Sequence, residues 1–443
     1  MDFRKLVFIT CLSQIAAPGA GQEIDIKGFY SIGAAWLESG DKEFYYELDY
    51  DDKVNFSRLT KLGLNLNSSI TDRVTFYGQI LAQQFNDDAV LRADWMFLTY
   101  EYSDQINIRL GKIKSNAWYA SDYIDVGKAY LWATPPEEVY QIFPLKSYNG
   151  ASINYQTEIG EVSASLEIGA GKFLLMIPSA GTVSNGLRAP QVATMNLNLE
   201  YKNYTLKFTY FDVEIQNLLN NQVIANSEST ITSIAFQAKY DRLTILTEYA
   251  VINSDPEKPS KIENAQAEFN RTLKDMNAAS ENLRLAREEE AQAEAALSPN
   301  DQDSVDTYYR AVANRKDAEE TMTAAQRDFG IAAAGRKFAV SKIDGMNAAY
   351  LTLGYRIFEN TTPYITAARL ETPDPPGYLG DQRSLAIGIT HDINFNLDIK
   401  FEAKAIEPLH GDPGFFRPRD FSNQDPPDVD RAMKYTIVLN SIF

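Results

Sequence analysis

Residues 397–404 read LDIKFEAK, and the two kinds of side chain alternate without a break. The apolar set is Leu397, Ile399, Phe401 and Ala403, and the charged set is Asp398, Lys400, Glu402 and Lys404. Successive side chains of a β-strand point to opposite faces. The segment therefore predicts a strand with one apolar face and one charged face.

The same alternation recurs along the chain, for example in residues 61–67 and 193–200. A soluble β-sandwich also alternates, but its polar face is seldom so rich in Asn, Lys and Glu opposite so many Leu. A barrel with lipid outside and water inside needs this pattern in every strand. We therefore predict an all-β transmembrane barrel, and keep a soluble periplasmic β-protein as an alternative.

We count sixteen antiparallel strands, whose connectors alternate between short turns and long loops. This alternation is typical of bacterial outer-membrane barrels. The long connectors are predicted at 39–53, 113–149, 171–190, 214–229, 253–343, 371–381 and 406–432. The strands are predicted to start near residues 25, 54, 73, 90, 106, 150, 161, 191, 203, 230, 241, 345, 362, 382, 394 and 433.

The composition of the 443 residues excludes several classes of protein. The formal net charge is −18, which argues against a duplex nucleic-acid binder. The chain has two His and one Cys, so Cys–His zinc sites and a disulfide framework are not expected. We predict no enzyme, no catalytic residues, no cofactor and no metal. A hydrolase would depend on His391 or His410.

The N-terminus predicts export. Arg4 and Lys5 precede an apolar run over 6–17 and small residues at Ala17, Gly19 and Ala20, which is the pattern of a secretory signal peptide, assigned to 1–21. No later apolar run reaches the 18 residues that a transmembrane helix needs.

The last nine residues, 435–443, form an alternating segment that ends in Phe443. Tyr435, Ile437, Leu439 and Phe443 share one face. This segment resembles the terminal strand of Gram-negative outer-membrane proteins. The resemblance implies that these four residues are read by the barrel-assembly machinery.

The connector 113–149 carries a second resemblance. It contains Trp118, Tyr119, Trp132 and the run Pro135–Tyr140, and it follows Asp94-Trp95-Met96-Phe97-Leu98 and Arg109-Leu110-Gly111-Lys112. Together these segments look like proteobacterial porins of sixteen strands, in which the third loop folds into the lumen and narrows it. The resemblance also implies a homotrimer in the outer membrane, surrounded by lipid and lipopolysaccharide.

A porin constriction needs charges, since rings of charge select the sign of a passing ion. The acidic candidates in the loop are Asp122, Asp125, Glu137 and Glu138. Strand parity predicts that a cationic set also points inward: Lys61, Arg109, Lys207, Arg369, Lys400 and Lys404. The alternative is that part of these sets lies at the rim and has no role in selectivity.

Residues 256–340 differ from the rest, with 18 Ala, two Gly and no Trp. Ile262, Phe269, Met276, Leu283 and Leu297 follow a seven-residue period, which predicts a coiled coil. Ser298-Pro299 interrupts it, and a second helix follows. We predict an antiparallel helical hairpin inserted in an extracellular loop, between a first barrel part at 22–255 and a last part at 341–443.

These patterns predict an outer-membrane porin that passes ions and small hydrophilic solutes by passive diffusion. The alternative is a surface-binding, adhesin-like protein, in which the barrel anchors the coiled-coil arm and the arm binds an unknown partner. Nucleic acid is not an expected partner.

Overall fold

The computed structural model describes most of the chain. The described residues are 24–38, 44–46, 50–85, 88–143, 145–177, 185–219, 222–254, 259–298, 300–340, 345–372, 380–410, 414–418 and 429–443. The predicted signal peptide 1–21 lies outside them. So do residues 47–49, 178–184 and 373–379 within the predicted long connectors.

Sixteen strands form one closed antiparallel barrel, as predicted. The first eight are β1 (Ile24–Glu38), β3 (Lys61–Thr71), β4 (Val74–Phe85), β5 (Asp88–Glu101), β6 (Ile106–Lys114), β7 (Ser147–Ile159), β8 (Val162–Ile177) and β9 (Asn185–Tyr201). The others are β10 (Tyr204–Leu219), β11 (Gln222–Tyr240), β12 (Leu243–Ser254), β13 (Met346–Tyr355), β14 (Thr361–Glu371), β15 (Gln382–Asn394), β16 (Leu397–Pro408) and β18 (Ala432–Ile442).

The two terminal strands close the barrel. β1 pairs with β18 from Phe29–Ile442 to Glu38–Met433. The backbone N–H groups of Gly28 and Phe443 each donate to the other's carbonyl, at 2.8 and 2.9 Å. The Phe443 ring covers Gly28, where any Cβ would collide with it. The last residue of the chain is therefore an ordered part of the seam.

Burial along the strands follows the sequence alternation. In β15, Gln382, Ser384 and Ala386 are buried inside, whereas Leu385 and Ile387 are exposed outside. In β18, Lys434, Thr436 and Val438 are buried. An outer surface of exposed Leu and Ile is the surface that hydrocarbon covers in a membrane barrel.

The connectors divide into two ends, which we call the short-turn rim and the long-connector rim. The short-turn rim has seven turns, at 72–73, 102–105, 160–161, 202–203, 241–242, 356–360 and 395–396, and both barrel termini. The long-connector rim includes the connectors 39–60, 115–146, 255–345 and 409–431.

Three predicted strand boundaries were wrong. The second barrel strand begins at Lys61 rather than near 54. The predicted loops 171–190 and 214–229 are largely strand, since β8 continues to Ile177 and β10 and β11 are separated only by 220–221. The β8 extension is apolar at five consecutive positions, Phe173–Ile177, and Glu214–Asn217 of β10 is polar except for Ile215. Neither stretch carries a regular alternation for the sequence to reveal.

The insertion forms the predicted helical hairpin. Helix α2 (Pro259–Ala295) packs antiparallel on α3 (Gln302–Val340). Ala279, Ala286 and Ala293 are buried at intervals of seven, and the Phe269 and Phe329 rings lie 5.3 Å apart. Helices of 37 and 39 residues reach roughly 55 Å at 1.5 Å per residue. Within the described residues, neither helix is both long and apolar enough to cross a membrane.

A second small sheet lies at the long-connector rim. Strand β2 (Phe44–Tyr46) pairs with β17 (Phe416–Pro418), which joins the first and last long connectors. Tyr46 and Phe416 are fully buried, with their rings 5.0 Å apart. This sheet positions two loops over one side of the barrel mouth.

Candidate functional site

Residues 115–146, here called the lumen loop, connect β6 to β7 and pack inside the barrel. The loop contains two short 3-10 turns, Ser121–Tyr123 and Gly127–Ala129, and one helical turn, α1 (Glu137–Tyr140). Pro136 precedes α1, where proline's fixed φ starts a helical turn readily. Gly127 lies so close to Asn440 that a Cβ would collide with it. The loop therefore lies directly against the inner face of β18.

Aromatic side chains fill the space between the lumen loop and the inward face of β13–β14. The Trp132 indole is 1% exposed and donates a hydrogen bond to Thr352 Oγ1 at 2.8 Å. Its ring lies edge-on to that of Tyr350, at 5.4 Å. Tyr364 accepts a hydrogen bond from Ala133 N at 2.9 Å. Buried aromatic pairs of this kind add packing energy and fix orientation.

Glu137 is held between two lysines of the barrel wall. Its carboxylate accepts a hydrogen bond from Lys434 Nζ at 2.6 Å and a second one from Lys404 Nζ. All three side chains are buried. Burial alone would raise the pKa of Glu137, but the charges of Lys404 and Lys434 outweigh it and hold this pKa far below its ordinary range. Glu137 is therefore ionised at neutral pH.

A second ionic cluster holds the other end of the lumen loop. Asp125 Oδ2 lies 3.2 Å from Lys114 Nζ, and its Oδ1 lies 3.8 Å from Lys61 Nζ. Burial opposes ionisation of Asp125, but Lys114 and Lys61 outweigh it and lower the pKa of this carboxyl strongly. Lys114 also contacts Asp94 at 3.3 Å. The loop is thus tied to β3, β5 and β6 at this point.

Two further lysines bind loop carbonyls. Lys400 Nζ donates to the backbone oxygens of Gly127 at 2.6 Å and Trp132 at 3.2 Å, and also to that of Tyr130. Lys207 Nζ donates to Trp118 O at 2.9 Å. A buried ammonium satisfied by several carbonyls fixes backbone position, because leaving either partner unpaired is costly.

Glu138 takes part in a hydrogen-bond network with the rim sheet. Its Oε1 accepts from Gln382 Nε2 at 2.8 Å, and Gln382 also donates to Tyr46 OH at 2.9 Å. Glu138 and Gln382 are both fully buried. The lumen loop is therefore covered on this side by the loops that form β2 and β17.

The inner wall formed by β3–β6 is less completely buried than the wall formed by β13–β18. We call seven inward-facing residues of β3–β6 the free wall. They are only half-buried, whereas the inward residues of β13–β16 and β18, like Gln79 and Leu81 elsewhere on β4, are buried. The free-wall residues are Asn65, Asn67, Tyr77, Trp95, Phe97, Asn107 and Arg109. The lumen loop thus packs along β13–β18 and is tied to β3 and β6 at Asp125, while these seven residues stay accessible.

Aromatic and charged groups line the free wall together. The Tyr77 and Phe97 rings are stacked at 5.7 Å, and the guanidinium of Arg109 lies 5.6 Å from the Phe97 ring centroid. Arg109 Nη1 forms an ion pair with Glu167 Oε2 at 3.0 Å. Asp122, in the lumen loop, is exposed. Arg109 and Asp122 are therefore available to water and to solutes in the lumen, whereas Glu167 is buried.

The structure places the predicted charges in three different environments. Asp125, Glu137, Glu138, Lys61, Lys207, Lys400 and Lys404 all anchor the lumen loop. Arg109 and Asp122 are accessible. Arg369 was predicted to point inward, and this prediction was wrong. It shares the outer face with Ile365 and Ala367, because Tyr364, Thr366, Ala368 and Leu370 fill the inner face of β14.

Two anchoring lysines escaped the sequence prediction. Lys434 faces inward, and its parity opposite Tyr435 and Ile437 would have revealed it. Lys114 comes at the end of β6, where it turns with the loop, so strand parity gives no guide to it. Asp94 lies at an irregularity of the β4–β5 register, which places it inward beside Trp95.

The four residues through which the last segment resembles outer-membrane terminal strands lie together on the outer side of β18. Tyr435, Ile437 and Leu439 alternate with the buried inner residues, and Phe443 is exposed beyond them. The Tyr435 ring stacks on Trp36 of β1 at 5.2 Å.

Comparison with known proteins finds similar folds among solved structures but no match among sequences. No protein-family model and no curated sequence matches the chain. Among solved structures, it is similar to the outer membrane channel DcaP of Acinetobacter baumannii, at 11% identity and a TM-score of 0.52, covering 96% of this chain and 99% of that one. It is also similar to Salmonella typhi OmpF, solved in complex with daunomycin, at 10% identity and a TM-score of 0.51, covering 96% and 98%.

A third similar structure is a loop L8 deletion mutant of OmpT, an outer membrane protein of Vibrio cholerae, at 9% identity and a TM-score of 0.50, covering 95% of this chain and 99% of that one. The fold is therefore the closed sixteen-stranded barrel of Gram-negative outer-membrane porins. In this chain, that barrel carries an inserted helical hairpin.

Proposed function

We propose that the protein is an outer-membrane porin, a water-filled channel through which ions and small hydrophilic solutes diffuse passively. The path runs between the lumen loop and the free wall, past Asn65, Tyr77, Phe97 and Arg109. We propose no catalytic role for any residue of the barrel.

The observation that carries this proposal is the free wall, which the lumen loop leaves uncovered although it is anchored to several strands. Glu137, Lys400 and the Trp132 packing hold the loop against β13–β18, while the free-wall residues of β3–β6 keep contact with solvent. A fixed constriction beside a polar, accessible wall is what selective diffusion requires.

We further propose the setting in which this channel works. The long-connector rim, with the helical hairpin, faces the cell exterior, and the short turns face the periplasm, as in other barrels of this type. The surrounding lipid is outer-membrane lipid and lipopolysaccharide. The channel assembles as a homotrimer, and the barrel-assembly machinery reads the terminal strand at Phe443.

Recording from the purified protein in planar lipid bilayers tests the proposal. Stepwise conductance increments in three levels are expected, as each trimer inserts three open channels. The reversal potential under a salt gradient then gives the sign of the preferred ion. A folded barrel that inserts but conducts no current would contradict the proposal.

A further inference from the structure

A cleft on the outer surface of the barrel lies near the long-connector rim. It has a volume of about 610 Å³, and its outward-facing lining comes from five adjacent strands, β12–β16, together with Arg431 just before β18. The outward residues Ala349, Ala367 and Ala405 are small, and Leu351 and Leu385 project beside them. The floor of the cleft is thus apolar, as contact with a hydrocarbon chain requires.

Charged residues form a row along the rim side of the cleft. The cross-strand register places Ala349, Arg369, Arg383 and Glu407 side by side on β13–β16, and Arg431 follows at the start of β18. Arg369 and Arg383 have side chains 55% and 58% exposed. The next row along the strands is apolar and includes Leu351, Ala367 and Leu385. The arginines therefore mark the boundary between the hydrocarbon and the headgroups.

The arginines are held in place by weak, replaceable partners. Arg383 makes a bidentate pair with Glu407 at 2.9 and 3.0 Å, and Arg369 contacts Glu371 at 2.8 Å. Exposed ion pairs of this kind contribute little stability. Each guanidinium has five N–H donors, and a bidentate carboxylate uses two of them. The row therefore keeps donors in fixed positions for a further anion, and with three arginines against two glutamates it is net positive.

We propose that this cleft is a binding site for lipid A, the phosphorylated glycolipid of the outer leaflet. One acyl chain lies over Ala349, Ala367 and Ala405, and a phosphate contacts Arg383 and Arg431. Guanidinium groups suit phosphate because their fork of donors matches two of its oxygens. The inference rests on the proposed function, since it requires the long-connector rim to lie in the outer leaflet.

Native mass spectrometry of the full chain in detergent, with purified diphosphoryl lipid A as the probe, tests the site. We expect the double variant R383Q/R431Q to bind lipid A at least tenfold more weakly than the unchanged protein. Ala367→Phe, which fills the cleft without changing charge, should weaken binding as well. Arg356→Gln is the matched control, because it removes an exposed arginine at the short-turn rim.

Three results would overturn the proposal. Lipid A binding by R383Q/R431Q could equal that of the control. Phosphatidylglycerol could bind as tightly as lipid A and be lost in parallel, which would make the row a general anionic-lipid contact. The variants could change the oligomeric state alone, which would make the cleft an interface between copies. Conductance recorded from the same preparations separates these results from failure of the porin proposal.

Discussion

At the scale of single residues, Glu137 is the group on which the position of the lumen loop most depends. It is the shared partner of Lys404 and Lys434, and none of the three side chains is exposed to more than a few per cent. Removing one member of a buried ionic group leaves the others charged and unpaired. Such a change costs about 3–5 kcal/mol.

We therefore expect Glu137→Gln to release the α1 end of the lumen loop. The expected results are a lower unfolding temperature and faster proteolysis within 115–146, while the barrel strands remain protected. Asp122→Asn is the matched control, since Asp122 is an exposed acid of the same loop, and it should leave both measurements unchanged. Equal behaviour of the two variants would show that Glu137 does not anchor the loop.

The same carboxylates predict a pH dependence. The pKa values of Glu137 and Asp125 are held below their ordinary values of 4.5 and 3.8. A group with a depressed folded pKa stabilises the structure at pH above its unfolded pKa, and that contribution is lost as pH falls through the folded value. The contribution of these two carboxylates to docking should therefore be constant from pH 8 to about 5 and be lost progressively below pH 4.

Proteolysis of the lumen loop across this pH range measures the effect. Protection that is constant above pH 5 and declines below pH 4 is expected for the unchanged protein. In Glu137→Gln, the part of the decline due to this carboxyl should be missing. A loop that loosens between pH 6 and 8 would mean that other titrating groups control it.

At the scale of elements, the helical hairpin is held together mainly by its own two helices. Its buried residues, such as Ala279, Ala286 and Ala311, lie between α2 and α3. Glu290 falls on the seven-residue period between Leu283 and Leu297, and it forms an ion pair across the seam with Arg315 at 2.5 Å. Polar pairs at such positions specify helix register.

Deletion of 256–344, with a two-residue turn in its place, should therefore leave the barrel intact. β12 and β13 are directly paired as far as Ile252 and Met346, so a short turn can join them. We expect unchanged strand content and unchanged single-channel conductance. Failure of this variant to fold would show that the hairpin supports the barrel, and loss of conductance alone would give it a role at the channel mouth.

The elements also show how far the sequence could predict the structure. Alternation revealed all sixteen strands because lipid outside and polar groups inside act on every one of them. It failed at the rim ends of β10 and β11, where polar and apolar residues follow each other without a two-residue period. It misplaced Arg369, because the inner face of β14 is apolar where it packs on Trp132 and Ala133. A residue that touches a loop inside the barrel follows the chemistry of the loop rather than that of water.

At the scale of the whole molecule, the barrel has two unlike inner sides. Lys400, Lys404 and Lys434 have the charges expected of a cationic channel wall, but they are less than 4% exposed and bind the lumen loop. Of the predicted constriction charges, Arg109 and Asp122 are accessible, whereas Glu167, the partner of Arg109, is 8% exposed. Selectivity should therefore respond to Arg109 and Asp122 and remain insensitive to the buried lysines, provided that the loop stays docked.

Arg109→Gln tests this division. Removing a cation beside the path should shift the reversal potential under a salt gradient towards cation preference. Asp122→Asn should shift it in the opposite direction. A reversal potential that neither variant alters would place the narrowest point of the path elsewhere in the lumen.

Accessibility of the two inner sides during conduction tests the central claim most directly. The single cysteine is Cys11, in the predicted signal peptide, so introduced cysteines report one position at a time. A charged methanethiosulfonate reagent is added while single channels of Asn65→Cys and Ala386→Cys are recorded. Asn65 lies on the free wall, and Ala386 is 1% exposed beneath the lumen loop. Stepwise loss of conductance in Asn65→Cys alone is the predicted result. Modification of Ala386→Cys with Asn65→Cys unaffected would contradict the account.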